Sequence, residues 1–592
     1  MGNNILMVPC CEKGKGGGHL SRCIRLVSDL RALNRGVWLY LPQNIKLPGS
    51  MNFNPEWSVR DQTLPDLKIG LIITDRFKTP RHELEKWKKI SPVIGMDEGG
   101  ECRDTFDFLL DILVPYNFIS PPANITSPSL LDCLQNKNHK KESAQVVKTK
   151  ILITFGHEDS NDLGAKIAKS LTVKKIKNIE ITLLTGALKR NHSLPADLSN
   201  IKIINTIPNL AEHLHEYDLV ITHYGLTAYE AVFSGTAVLL VHPTPLHKRL
   251  SKTAGFLSFS INFINKITHE PRDAKIIGIR EYYKKFASNI KSGSKNAGLA
   301  GLIDSISPQV NRSCPVCGEN APEHSVMRFY DRTYRRCRKC SNIYMDRAFP
   351  PPIEYEKEYF YESYKKQYGK TYIEDFPNLT KAAKKRFKTI KSILRTDEKP
   401  SLLDIGCAYG PFLAAAREEG FSPYGVEPSG DAVSYVQNKL GIPASAGFFP
   451  GCNASFLVPG SFNAVTLWYV IEHFKDCAPV LSEIHKLLKP GGLLAFSTPS
   501  FSGISGRSSL KNFLSKSPAD HYTIWSPATC RKALSLAGFT VKRIIISGHH
   551  PERFPFFGKL SKNKKSFAYF ILSAISRIFK LGDTFEVYAE AK

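Results

Sequence analysis

The stretch Leu402-Leu403-Asp404-Ile405-Gly406-Cys407-Ala408-Tyr409-Gly410 constrains this chain more than any other. Leu402, Leu403 and Ile405 make an apolar run suited to a buried parallel strand, and Gly406 and Gly410 allow a tight turn close to a ligand before a helix over Pro411 to Glu419. A bound group is thereby expected at a helix N-terminus. The next apolar run, Pro423-Tyr424-Gly425-Val426, ends in Glu427, so a carboxylate arrives at a strand tip where it can take both hydroxyls of a ribose. Another strand is expected over Phe462 to Leu467, and a helix end, turn and strand over Leu487 to Leu494.

From about Leu402 to Arg543 this order resembles the class I S-adenosylmethionine-dependent methyltransferases. The resemblance implies S-adenosyl-L-methionine as cofactor, with Asp404, Gly406 and Gly410 on its methionine side and Glu427 at its ribose. Two positions depart from the family: Ala408 stands where a middle glycine is usual, and Asn463 where an aspartate is usual. Asp520-His521-Tyr522 resembles the segment near the acceptor pocket of sugar methyltransferases, and His473 and His521 are the candidate catalytic bases. The reaction would be in-line attack of a hydroxyl, amine or carbanion on the sulfonium methyl.

The chain of 592 residues is too long for one core and suggests three or four domains, and its 42% hydrophobic composition is that of a packed globular protein. A net charge of +26 favours anionic partners such as nucleotide sugars, nucleic acid or an acidic membrane surface, though no single basic run is dense enough to be a nucleic-acid tail. Ile5-Leu6-Met7-Val8 follows the first residues without a basic region before it, so a cytoplasmic location is expected, with peripheral contact at the inner membrane face as an extension. Leu6 occupies the position where a myristoylation signal wants Ser or Thr, and no apolar run reaches the length needed to cross a bilayer. Thirteen cysteines in such a chain point to free thiols and a metal site more than to disulfides.

The N-terminal half alternates strand and helix. A glycine-rich loop over Cys10 to Gly18 runs into a helix that begins near His19, where the positive helix end favours a neutral imidazole able to act as a base. Strands at Val37 to Leu41, Gly70 to Asp75 and Pro92 to Glu98 end in residues that face a ligand crevice or cap helices, among them Asp75, Asp97 and Glu98. A polar, proline-containing stretch around Pro121 to Lys141 marks a boundary. A second such unit follows, with a strand at Ile151 to Gly156 and a strand-turn-helix at Leu219 to Ala231, whose helix start at Gly225 and Thr227 offers N–H groups to a diphosphate.

Two such halves over about residues 5 to 305 resemble the GT-B glycosyltransferase architecture, and in detail the PseG-type UDP-sugar hydrolases and their spore-coat-polysaccharide relatives. Gly18-His19-Leu20-Ser21-Arg22, Thr74-Asp75, Asp97-Glu98, Phe155-Gly156 and His223 to Glu230 carry the likeness. It implies a UDP-linked nucleotide sugar and a glycan or sugar acceptor, with His19 beside the anomeric centre, Gly18, Arg22 and Gly156 among the binding residues, Gly225 and Thr227 at the pyrophosphate and Glu230 at the uridine ribose. His247 stands where a glutamine is common, and hydrolysis and glycosyl transfer stay equally open.

Between the halves, Cys314-Pro315-Val316-Cys317 and Cys337-Arg338-Lys339-Cys340 have the spacing of two knuckles closing a tetrahedral Zn2+ site, structural because four thiolates leave no open position. A nucleic-acid zinc ribbon is the alternative, helped by Arg335, Arg336, Arg338 and Lys339. A Tyr-rich stretch (Tyr355, Tyr359, Tyr361, Tyr364, Tyr368, Tyr372) and a basic amphipathic helix over Leu379 to Leu394 follow; the order resembles sugar C-methyltransferases, whose zinc unit helps to cover the substrate. The tail joins Lys559, Lys562, Lys564 and Lys565 to the run Phe567 to Leu572, expected as a last helix packed on its own domain, or else lying on an acidic membrane face, before a closing strand near Val587.

The expected fold class is α/β: a GT-B-like pair of Rossmann-like domains (1–140 and 141–305), a small four-cysteine zinc module (310–350), a Tyr-rich helical linker (351–398) and a class I methyltransferase doubly wound sheet with a tail (399–592). The expected function is a bifunctional enzyme of glycan biosynthesis; the rival is an RNA-binding zinc-ribbon methyltransferase with a non-catalytic N-terminal half.

Overall fold

The computed structural model describes residues 4–592 except 12–16, 44, 46, 48–52, 63, 65–66, 132–147, 157–158, 160, 173–177, 186–200, 261–271, 292–297, 322–323, 351–363, 366–368, 395–398 and 562, and the side chains of 129, 272–274, 291 and 559. Tyr355, Tyr359, Tyr361 and Tyr368 therefore lie outside the described residues. The chain divides into two compact units, residues 1–309 with 328–332, and residues 310–327 with 333–592.

The first unit holds two parallel sheets. One has the order β3-β2-β1-β4-β5-β6-β7, from β1 (Asn4–Pro9), β2 (Val37–Tyr40), β3 (Ser58–Val59), β4 (Ile69–Asp75), β5 (Val93–Met96), β6 (Phe108–Asp111) and β7 (Ile125–Thr126). The other has the order β10-β9-β8-β11-β12, from β8 (Thr149–Thr154), β9 (Ile179–Leu184), β10 (Ile201–Ile204), β11 (Leu219–Thr222) and β12 (Ala237–Leu240). The central strands are buried on both faces, as continuous Ile, Leu and Val runs require when helices cover a parallel sheet on each side. Strand order reverses between β1 and β4 in the first sheet and between β8 and β11 in the second. Such reversals open a crevice beyond the carboxyl ends of the strands.

A four-stranded sheet of β13 (Ser325–Phe329), β14 (Arg332–Arg336), β15 (Ile343–Arg347) and β21 (Thr523–Ile524) falls in the second unit apart from residues 328–332, with β15 and β21 paired antiparallel. The main sheet of the second unit has the order β18-β17-β16-β19-β20-β23-β22, from β16 (Ser401–Ile405), β17 (Ser422–Glu427), β18 (Ala444–Ala446), β19 (Phe462–Trp468), β20 (Leu488–Pro499), β22 (Phe539–Ser547) and β23 (Thr584–Ala591). The first five strands run parallel, and β23 is inserted antiparallel between β20 and β22. Here the reversal falls between β16 and β19.

The basic helix starts earlier than its apolar spacing suggests, at Tyr372, because Thr371 and Glu374 form a capping box; it runs to Ile393. The four-cysteine segment is not a free-standing bead: Cys314, Val316, Cys337, Cys340 and Tyr344 belong to the same apolar core as Leu403, Val465, Leu481 and Trp525. The helix near the C-terminus forms over Phe567–Ile578 and the closing strand over Thr584–Ala591. The helix packs on its own domain as expected, through buried Leu572 and Ser576, but Phe567 and Phe570 of its apolar run face outward at 80% and 62% exposure.

Candidate functional sites

The first site is a cleft of about 1050 Å³ in the first unit. It is lined from the first sheet by Gly18, His19, Arg22 and Asp97, and from the second by Gly156, His223, Gly225, Thr227 and Glu230. Both helices that open onto it, Gly18–Ala32 and Leu226–Phe233, lack a side-chain cap and carry no acidic residue in the first turn. Their leading N–H groups and positive ends therefore favour an anion in the cleft.

His19 is oriented by Asp75, whose Oδ1 lies 2.6 Å from its Nδ1, leaving Nε2 for proton transfer. Arg22 grips the same carboxylate twice, Nε donating to Oδ2 at 2.8 Å and Nη2 to Oδ1 at 2.6 Å, and also lies 2.7 Å from Asp97 Oδ2. Burial works against ionisation of Asp75, but Arg22 and His19 outweigh it and hold this carboxyl well below the usual carboxylate range. Asp97 turns its Oδ1 to the backbone N–H groups of Ile112, Leu113 and Val114, and Glu98 accepts from Thr79 and Gly100. These two strand-end acids thus fasten loops around the cleft.

On the facing wall Glu230 is 3.5 Å from Arg25, and burial, opposed by that arginine, raises its pKa to about 7. His223 donates from Nδ1 to the Tyr224 carbonyl, 2.8 Å away, and packs edge-on against His247 at 5.2 Å. Burial first, then neighbouring imidazoles, lowers His247 to about 4, and burial lowers His223 too. Both are neutral at pH 7, so the positive potential comes from the helix ends and from Arg25, Arg76 and Lys78 along the lining.

The second site is built where the main sheet of the second unit reverses. Gly406 and Gly410 have φ of 74° and 80°, and a Cβ at Gly406 would lie 2.5 Å from Val470 Cγ2. The loop after β16 and the turn after β19 are therefore pressed together, which only glycine permits. Ala408 also adopts a left-handed conformation, φ 48°, and donates its N–H to Glu427 Oε2 at 3.0 Å. Ala408 is buried in a small cluster with Tyr409 and Ala432, against which Tyr372 packs, so the missing glycine is accommodated at about 1 kcal/mol of backbone strain. Asn463 accepts from the backbone N–H and hydroxyl of Ser401, fixing the start of β16.

Asp404 accepts from Thr466 Oγ1 at 2.6 Å, and burial drives its pKa up to about 7; burial raises Glu427 as well. Two buried carboxyls beside a glycine turn and a helix start are a donor-seeking cradle, and they suit a cationic amino-acid sulfonium with a ribose. Tyr372, Tyr409 and Tyr435 pack around this loop, tilted and edge-on in turn, with ring centroids 6.0 and 5.3 Å apart. Of the Tyr-rich stretch, Tyr372 reaches this loop and Tyr364 packs edge-on against Tyr372 at 5.0 Å.

Directly after β19, His473 meets Asp520: Nδ1 is 2.8 Å from Oδ2. Burial pulls the imidazole pKa down, but Asp520 and Glu472 prevail and raise it above the ordinary value. His521 packs edge-on at 4.7 Å from His473, and Glu472, His473 and His521 hold their ligand atoms within 4.8 Å of one another. Glu472 is buried, which raises its pKa to about 7, and its Oε2 has no hydrogen-bond partner. Asp520 lies in the segment that the sequence places near the acceptor pocket, while nothing marks Glu472 in the sequence beyond its place next to His473.

The four cysteine sulfurs lie within 4.8 Å of one another, with Cys314 to Cys340 at 3.7 Å and Cys317 to Cys337 at 3.6 Å. A tetrahedron of sulfurs about 2.3 Å from Zn2+ has edges of roughly 3.8 Å, so the set fits the ion. The Cys340 N–H points to Cys337 Sγ at 3.5 Å, and Pro315 O accepts from Cys477 and Ala478 N–H, tying the knuckle to the helix after the second site.

Residues 376–544 match the family model described as "Methyltransferase domain". An uncharacterized protein, MJ1062 of Methanocaldococcus jannaschii, is 31% identical over 144 residues, covering 20% of this chain and 29% of that protein. A ubiquinone biosynthesis O-methyltransferase of Pseudomonas paraeruginosa is 31% identical over 102 residues, covering 17% of this chain and 44% of that protein. The chain thus spans less than half the length of these relatives. An Archaeoglobus fulgidus structure described as a SAM-dependent methyltransferase is 18% identical, covers 39% of this chain and 99% of its own, and superposes with a TM-score of 0.28.

Proposed function

From a C-terminal region that is a class I S-adenosylmethionine-dependent methyltransferase domain, we propose that the chain is a bifunctional enzyme of glycan biosynthesis. The second unit methylates a sugar or sugar-bearing acceptor, and the cleft of the first turns over a UDP-linked sugar. The observation that carries this reading is the pair of histidines, each held through Nδ1 by an aspartate at a point where strand order reverses.

In the second unit, Glu427 would take the ribose hydroxyls of the cofactor and Asp404 its positively charged amino-acid end, across the tight glycine loop. S-adenosyl-L-methionine supplies the electrophilic methyl. His473 takes the acceptor proton at Nε2 while Asp520 stabilises the imidazolium that forms, and Tyr372 and Tyr409 help to exclude water. The cysteines hold Zn2+ as a structural ion, away from any step.

In the first unit the leaving diphosphate is received by the helix starts at Gly18 and at Gly225–Thr227, and Glu230 takes the ribose of uridine. His19 removes a proton through Nε2 from water or from an acceptor hydroxyl, its ring held by Asp75. Arg22 positions Asp75.

Incubating the full chain with a panel of UDP-sugars and S-adenosyl-L-methionine, with mass-spectrometric detection, tests both halves. Formation of S-adenosylhomocysteine and UDP is the expected result. Neither product with any sugar, alongside methylation and salt-steep binding of RNA, overturns the reading in favour of a nucleic-acid enzyme.

A further inference from the structure

The segment 548–583 joining β22 to β23 carries apolar side chains that the fold leaves outside. Phe556 is 97% exposed, Phe567 80%, Ile578 73% and Phe570 62%. In the helix Phe567–Ile578, Phe567, Phe570, Ile571 and Ile578 are spaced by three, one and seven residues and share one face. The opposite face is pinned inward: Leu572 is buried, and Ser576, fully buried, hydrogen-bonds through Oγ to His549 Nδ1 at 2.7 Å. The helix is amphipathic and inverted, with a hydroxyl inside and the apolar stripe outside.

Charge identifies what covers the stripe. From Arg553 to Gly582 the sequence has seven Lys and Arg and no Asp or Glu, and Lys564, Lys565, Arg577 and Lys580 are exposed around the stripe. A second copy would bring the same charges face to face, which opposes pairing. The helix of 12 residues is too short to cross a bilayer, and no helix among the described residues is long and apolar enough to do so. An in-plane helix with aromatic and aliphatic residues below and lysines at the rim is the form that binds a lipid surface.

We propose that this segment seats the protein on an anionic bilayer, with Phe556, Phe557, Phe567, Phe570 and Ile578 entering the boundary between headgroups and acyl chains and the basic residues meeting lipid phosphates. The site does not depend on the reading of either active site.

Co-sedimentation of the full chain with vesicles of phosphatidylcholine mixed with phosphatidylglycerol, against vesicles of phosphatidylcholine alone, tests it. Binding to the anionic vesicles is expected to be at least about tenfold tighter. The triple substitution Phe567→Ser, Phe570→Ser, Ile578→Ser, all at exposed positions, is expected to weaken it by on the order of a hundredfold. The pair Lys564→Glu, Lys565→Glu should weaken it by roughly tenfold, on anionic vesicles alone. Equal partitioning to both vesicle types, or partitioning unaffected by the triple substitution, overturns the proposal. So does a dimer in analytical ultracentrifugation that the triple substitution dissociates, with no vesicle binding by the unsubstituted chain.

Discussion

The two histidine–aspartate pairs look alike in distance, 2.6 Å for His19 with Asp75 and 2.8 Å for His473 with Asp520, yet their carboxylates are differently employed. Asp75 is gripped twice by a buried guanidinium that also lies against Asp97, so much of its charge goes to holding Arg22. Asp520 instead raises the basicity of its histidine, with buried Glu472 adding to the effect. The first pair stands in an open cleft between helix ends; the second follows β19, whose turn presses against the tight glycine loop. Two imidazole–carboxylate contacts of similar length thus orient their rings alike, while the other partners of each carboxylate set how far it favours the protonated ring.

The difference can be broken apart unit by unit, and the largest effect should come from metal removal. The four-cysteine cluster shares its core with the second unit, so chelation of Zn2+ is expected to lower the melting temperature of that unit by more than about 10 °C and abolish cofactor binding. Calorimetric titration of UDP into the first unit's cleft should survive it. A chain with no zinc by mass spectrometry, equally stable with and without chelator, would remove the structural ion.

Next in size, His473→Ala should reduce methyl transfer by about 10²- to 10⁴-fold while S-adenosylhomocysteine binding changes little, and His19→Ala should do the same to UDP release alone. Parallel loss of both activities in either variant would show that the sites are not independent. Arg22→Ala removes a guanidinium that is 4% exposed from two carboxylates, and is expected to destabilise the first unit by about 3–5 kcal/mol, read by denaturant unfolding. Arg22 at the centre of the comparison is refuted by a cost under about 1 kcal/mol.

A subtler separation comes from pH. A base works when neutral, so methyl transfer should rise with pH through a midpoint above the ordinary imidazole value of 6.5, because Asp520 favours the protonated ring. Asp520→Asn should move that midpoint down, making the profile less steeply dependent on pH above neutrality while lowering the maximal rate. The smallest effect is expected at Ala408→Gly: relief of the left-handed strain offsets the added chain entropy, so stability should change by less than about 1 kcal/mol, with cofactor affinity within about threefold.

Much of this was legible where the chemistry is local. Gly406, Gly410 and Glu427 announce a strand-turn-helix with an acid at the next strand tip because glycine is demanded by backbone geometry within a few residues. The two Cys-x-x-Cys pairs were legible for the same reason. Partnerships across long stretches of chain were not. Nothing in the residues around His473 shows that Asp520 will meet it, nor that Asn463, standing where a carboxylate was expected, will be occupied by the start of β16. The four-cysteine segment reads as a separate module because its spacing is self-contained, while its integration into the second core follows from pairing of β15 with β21, far along the chain.

By itself the sequence determined the three alternations of strand and helix, the loops that need glycine, the cysteine spacing and the excess of positive charge, since each depends on residues close together or on simple composition. Tertiary structure alone decided which aspartate holds which histidine, which strand-end acids become loop fasteners, and that the helix Phe567–Ile578 turns its phenylalanines outward. Those outcomes depend on which strands lie side by side at each reversal of the sheets, and on which face of a helix finds a neighbour, and neither is encoded in any short stretch of the chain.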